Sequence, residues 1–83
     1  MGSKLEPGKY DCYAHALPDE QMFVLLARDP CAPKLIELWA DMRDRAVREG
    51  WLSPSEMTKT DEARRCAIEM RRWRRNNYGE WRK

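Results

Sequence analysis

Between Pro33 and Gly50 the apolar residues Leu35, Ile36, Trp39, Met42, Ala46 and Val47 recur at spacings of three and four. That period places them on one face of a helix and fits no strand. Pro33 suits a first helical position, because its ring presets φ and the N–H it lacks would find no helical partner there. Gly50 supplies the left-handed residue that a helix C-terminus favours. The other face carries Glu37, Asp41, Asp44, Arg45 and Arg48, with Asp41–Arg45 and Asp44–Arg48 as acid-before-base pairs at i,i+4. The pattern predicts a helix over 33–49.

A second helix is announced by Ser53-Pro54-Ser55-Glu56, in which Ser caps, Pro opens the first turn and Glu reaches back as a capping box. Ala63, Cys66, Ala67, Met70 and Trp73 form its apolar stripe, and Asn76, Asn77 and Gly79 end it, which predicts a helix over 54–76. Met57 is out of phase with the stripe. Either the helix is reset near Thr60-Asp61-Glu62, where a new cap and acidic first turn stand, or Met57 faces elsewhere. A short connection makes the two helices an antiparallel hairpin, with Leu35, Trp39, Met42 and Ala46 expected against Ala63, Ala67, Met70 and Trp73. Trp39 and Trp73 are expected in the core, and Trp51 over the hairpin end.

Upstream, residues 1–17 lack a helical period and read as an extended arm. Pro18, Asp19 and Glu20 suit a helix start, and the apolar run Met22 to Ala27 makes 18–28 a short helix or strand, two helical turns being favoured. Asp29-Pro30 then breaks the backbone. The expected fold is mainly all-α: a hairpin, a short N-terminal helix or strand, and an arm.

Eighty-three residues form one domain that buries little surface, so a homo-oligomer is expected. With 42% hydrophobic residues and four Trp, the chain has enough apolar material to fold despite 36% charged residues and a mean hydropathy of −0.90. No apolar run is long enough for a membrane span, and the N-terminus lacks a charged-then-apolar leader pattern. Three widely spaced cysteines argue against a disulfide framework and for a reducing cytosol.

Met22 to Ala40, M-F-V-L-L-A-R-D-P-C-A-P-K-L-I-E-L-W-A, and Asp61 to Trp73, D-E-A-R-R-C-A-I-E-M-R-R-W, resemble a widespread group of small uncharacterised proteins of tailed bacteriophages and prophages. The marks of the resemblance are the apolar run, the Arg-Asp-Pro-x-Ala-Pro turn, the tryptophan six residues after its second proline, and a closing helix with Ala, Cys, Met and Trp at helical spacing. It implies an accessory product acting in the host cytosol, where such proteins modulate host systems or counter defences by binding. It carries no catalytic residues.

Charge is polarised along the chain. Residues 63–83 hold eight Lys/Arg against two acids, whereas residues 1–62 hold eight against twelve. Arg71, Arg72, Arg74 and Arg75 exceed what a helix C-terminus needs to complement its dipole, and Tyr78 and Trp81 follow in a basic aromatic tail over 77–83. Guanidinium forks clamp phosphates or carboxylates, and aromatic faces stack on flat rings. Arg28 is a further candidate contact. Pairing of these arginines with the acidic body is the competing reading, as is an Asp29 that merely caps the next helix. Cys12, His15, Cys31 and Cys66 include the donor types of a zinc site, but only Cys12 and His15 have chelating spacing, and free thiols are the simpler reading. A lone His15 without an orienting carboxylate disfavours nucleophilic catalysis, so no enzyme and no cofactor are expected.

Three functions compete on these residues. The first is binding, with sequestration, of a phosphate-bearing anionic ligand such as a nucleotide signal. The second is a protein-directed inhibitor or adaptor of a host complex, in the manner of an anti-CRISPR, anchored by Trp and Arg. Nucleic-acid binding ranks third, since net charge is only +2 and no groove-reading motif is present.

Overall fold

A computed structural model describes residues 1–77 of the chain. Among them are a one-turn helix α1 (Cys12–His15), a long helix α2 (Ala32–Arg48), a 3-10 turn at Pro54–Glu56, and a second long helix α3 (Met57–Asn76). The fold is mainly helical, with no strand among the described residues. The segment 18–28, expected as a short helix or strand, is irregular backbone with turns at its ends. Its apolar run is too short to form a helix alone and lies beside no strand edge. Conversely, the expected arm contains α1, capped by Asp11, whose carboxylate accepts from the Ala14 N–H at 3.4 Å.

Both ends of α2 follow from local chemistry. Asp29 Oδ1 accepts from the Cys31 N–H at 2.8 Å and its carbonyl from the Ala32 N–H at 3.0 Å, which turns the chain into the helix ahead of Pro33. At the other end Gly50 has φ of +85°, while its N–H bonds to the Val47 carbonyl and that of Trp51 to Ala46. This is the paired Schellman pattern that glycine permits. Ser53 caps the next turn as expected, accepting from Ser55, but Glu56 does not complete a capping box. Its carboxylate instead pairs with Arg43 and Lys59. No reset interrupts α3 at Thr60-Asp61-Glu62: Thr60 and Glu62 are buried inside one continuous helix.

The packing of α2 on α3 differs from the expected stripe. Fully buried positions are Ala32, Ala40, Thr60, Ala63 and Ala67, with Pro33 beside them. Small side chains bring the two backbones close together, leaving no room for large ones between them. Trp39 and Trp73 accordingly each retain 38% of their exposure, and Leu35 and Met42 face outward. Trp39 instead holds the Arg43 guanidinium 4.8 Å from its ring centroid, and Trp51 is exposed at the hairpin end.

Polar rungs run along the seam and set the antiparallel register. Arg71 clamps Glu37 through two hydrogen bonds of 2.6 and 2.9 Å. Arg64 bridges Asp41 at 2.8 Å and Asp44 at 2.6 Å, and Arg43 meets Glu56. The buried Thr60 hydroxyl lies 2.9 Å from the Met57 carbonyl and 3.3 Å from Asp44.

An Ala63→Leu substitution inserts a branched side chain into this seam. It is expected to cost about 1–3 kcal/mol, read as a lower urea midpoint, whereas Met42→Leu on the open face should leave the midpoint of the isolated chain within about 0.5 kcal/mol.

Candidate functional site

The N-terminal segment is fastened to α3 by a buried carboxylate. Glu62 accepts from the Lys9 N–H at 2.8 Å and the Tyr10 N–H at 3.0 Å, and lies 3.2 Å from the Met1 ammonium. Tyr10 adds a 2.5 Å hydroxyl contact to Thr58, with the Lys9 and Lys59 ammonium groups each 5.6 Å from its ring centroid. Gly8 makes the loop possible: its φ is +82°, and a Cβ there would stand 2.1 Å from the Met1 carbonyl oxygen and 3.1 Å from Glu62. Burial pushes the Glu62 carboxyl up, yet the two N–H donors and the ammonium outweigh it, so its pKa falls below the ordinary value.

Between this loop and the outer side of α3 lies an open groove of about 560 Å³. Its α3 wall carries Arg65, Cys66, Glu69, Met70, Arg72 and Trp73, and the helix end adds Asn76 and Asn77. Glu6 and Ala27 stand on the N-terminal side. Two of the acids are already partnered, Glu62 by the loop and Glu69 by Arg72 at 2.7 Å. Arg65 is exposed and enters no ion pair among the described residues. Burial raises the Cys66 thiol, and Glu62 adds to the shift, so the sulfur is a poor nucleophile at neutral pH. The groove therefore combines an indole, guanidinium groups and carboxamides. Chemically, an indole face can stack on a flat ring, guanidinium groups can clamp an anion and carboxamides can pair with hydrogen-bonding edges.

The expected arginine site does not converge. Successive positions on a helix turn by about 100°, so the four side chains fan around α3. Arg71 turns to α2 and Glu37, Arg72 to Glu69 and the groove, and Arg74 donates to the Arg28 carbonyl at 2.6 Å. Arg75 is exposed and has no ion pair among the described residues. Arg28 contributes its backbone carbonyl here, and Asp29 holds the turn before α2 through the Cys31 N–H rather than capping the helix, whose N-cap is Cys31 with no side-chain cap bond. Tyr78 and Trp81, like most of the expected 77–83 tail, lie outside the described residues. Cys12, His15, Cys31 and Cys66 are not gathered into a metal-holding group among the described residues. The His15 Nδ1 instead lies 2.8 Å from the Asp11 carbonyl oxygen.

Sequence reasoning missed Arg65, Asn76 and Asn77 as groove residues and Glu62 as the anchor. The available signal was azimuthal: Arg65, Glu69, Arg72 and Asn76 follow at spacings of three and four. No protein-family model, curated protein or solved structure is significantly similar to the chain.

The lowered carboxylates of Glu62, Glu37 (chiefly through its Arg71 hydrogen bonds) and Asp44 (chiefly through Arg64) set the acid stability. A carboxyl whose folded pKa is depressed stabilises the fold above its unfolded pKa, and that contribution disappears as pH falls through the folded value. The melting temperature should therefore be flat from neutral pH to about 5 and fall below about 4. Glu62→Gln should melt lower than wild type at neutral pH and lose less on acidification, as circular dichroism melts can measure.

Proposed function

We propose that this chain is a non-enzymatic binding protein of the phage accessory kind, which captures and sequesters a phosphate-bearing small molecule such as a nucleotide signal in the host cytosol. The observation that carries the reading is the groove beside α3, where Trp73, Arg65, Arg72, Asn76 and Asn77 line one open volume of about 560 Å³. A ligand site of that size holds a nucleotide-sized molecule. Trp73 stacks the base, the two carboxamides bond its edges, and Arg65 with Arg72 takes the phosphate. Arg72 reaches the ligand by exchanging Glu69 for it, one charge-assisted partner for another. Because Glu6, Glu62 and Glu69 also line the groove, a mononucleotide-like ligand with localised charge fits better than a polyanion, which places nucleic acid last.

A protein-directed inhibitor or adaptor of a host complex is the second reading. It is favoured by Phe23 and Val24, exposed at 82% and 66% on the irregular 18–28 segment. An exposed aromatic ring such as that of Phe23 is the type enriched at protein interfaces.

A thermal-shift screen of linear and cyclic nucleotides, inorganic phosphate and duplex DNA separates the readings. One nucleotide class should raise the melting temperature by several degrees, since a ligand at 100 times its Kd stabilises by about 2.7 kcal/mol. Arg65→Glu should abolish that shift and leave the unliganded melting temperature nearly unchanged. Absence of any nucleotide effect, together with capture of a host protein that survives moderate salt, would favour the second reading.

A further inference from the structure

Three carboxylates line the groove, those of Glu6, Glu62 and Glu69, and two of them have partners within the chain. Glu62 holds the Lys9 and Tyr10 N–H groups, and Glu69 pairs with Arg72. Glu6, exposed on the N-terminal wall, enters no side-chain hydrogen bond and no ion pair among the described residues. Its backbone is nonetheless fixed. The Glu6 carbonyl accepts from the Ser3 N–H at 2.9 Å, and the Glu6 N–H donates to the Ser3 hydroxyl at 3.0 Å. Resting on the reading of the groove as a nucleotide site, we propose that Glu6 binds the 2′,3′-diol of the ribose. The groove then selects linear 5′-ribonucleotides over deoxyribonucleotides and over nucleotides whose 3′ oxygen is esterified.

An unpartnered carboxylate is a liability in a site for a phosphate ester. It accepts hydrogen bonds and donates none, and its charge weakens binding of an anion unless the ligand brings donors to that side. Arg65, Arg72 and Trp73 all stand on the α3 wall. With the phosphate held by the two guanidinium groups and the base stacked on the indole, both ends of a nucleotide are engaged on that wall. The sugar between them turns its free edge across the groove to Glu6. That edge carries two neighbouring hydroxyls. The two oxygens of one carboxylate match them, each accepting from one O–H, as an acidic side chain does on the ribose in dinucleotide-binding folds. The exocyclic amines of bases are a poorer match for Glu6, because they lie at the base edge beside Asn76 and Asn77. Those two residues follow Trp73 by three and four positions on the same flank of α3.

The sugar contact discriminates where the phosphate contact does not. A 2′-deoxy sugar leaves one carboxylate oxygen without its donor. A 3′,5′-cyclic or 3′-linked nucleotide has no 3′ proton to give and brings a phosphodiester toward Glu6, so it meets a lost bond and like-charge repulsion together. Arg65 and Arg72 separate none of these ligands, since each carries a phosphate.

Isothermal titration calorimetry of the full chain at neutral pH tests the proposal, with the common ribonucleoside 5′-monophosphates, their 2′-deoxy forms and their 3′,5′-cyclic forms as probes. For the base that binds best, the ribose form should bind at least about tenfold tighter than the 2′-deoxy form, the order expected of a hydrogen bond to a charged group. The cyclic form should be weaker than the linear one. Glu6→Ala should bring ribose and deoxyribose forms to equal affinity, chiefly by weakening the ribose form, and leave the melting temperature of the unliganded chain unchanged. Glu6→Gln, which keeps one acceptor oxygen, should retain part of the preference. Equal affinity of the two sugars for wild type, or a preference that survives Glu6→Ala, would overturn the proposal and leave the nucleotide site standing. Failure of wild type to bind any of these nucleotides would overturn the nucleotide reading itself, and this proposal with it.

Discussion

The close approach of two helix backbones across Ala32, Ala40, Ala63 and Ala67 is the constraint on which the rest of the molecule depends. A seam of alanines supplies less buried apolar area than one of leucines. It does bring the two helices near enough for Arg43, Arg64 and Arg71 to reach carboxylates from one helix or its flanking turn to the other. Each such pair at a partly exposed edge adds little stability. Their spacing along the seam does more, because a slip of one residue in either helix would bring the arginines out of line with Glu37, Asp41 and Asp44. The same closeness excludes the large side chains. Leu35, Leu38, Trp39 and Met42 had nowhere to go but outward.

A second constraint follows from Glu62. Held on α3 next to the seam, its carboxylate satisfies two backbone N–H groups of the N-terminal segment and faces the Met1 ammonium. One side chain therefore decides where the first ten residues lie. Their position against α3 creates the groove, because the loop forms the wall opposite Arg65, Arg72 and Trp73. Removing the anchor would leave a bare helix flank in place of a concave site. The candidate site is thus a product of docking between parts more than fifty residues apart in sequence, as the Lys9 and Glu62 numbering attests.

Arginine chemistry shows how one residue type takes several roles according to azimuth. Arg64 and Arg71 face the acids of α2 and act within the fold, while Arg65 and Arg72 face the groove. The sequence pattern grouped Arg71, Arg72, Arg74 and Arg75 because they are adjacent in the chain. On a helix, adjacency in sequence disperses side chains and a step of three or four gathers them. The competing reading, in which the basic end pairs with the acidic body, accounts for Arg71.

Sequence by itself determined the parts that local chemistry controls. Pro33, the Gly50 turn and the Ser53 cap mark the ends of two helices, because φ preference and hydrogen bonding to nearby backbone act over only a few residues. It also indicated that the two helices pair and that Ala63 and Ala67 lie at their contact. Which face of α2 meets α3 was decided only in three dimensions. Ala40 and Trp39 are neighbours, and periodicity favours the larger residue as core, whereas close packing of two backbones favours the smaller. The irregular course of 18–28, the burial of Glu62 and the groove were likewise settled by long-range contact, since each depends on groups that meet only after the chain has folded.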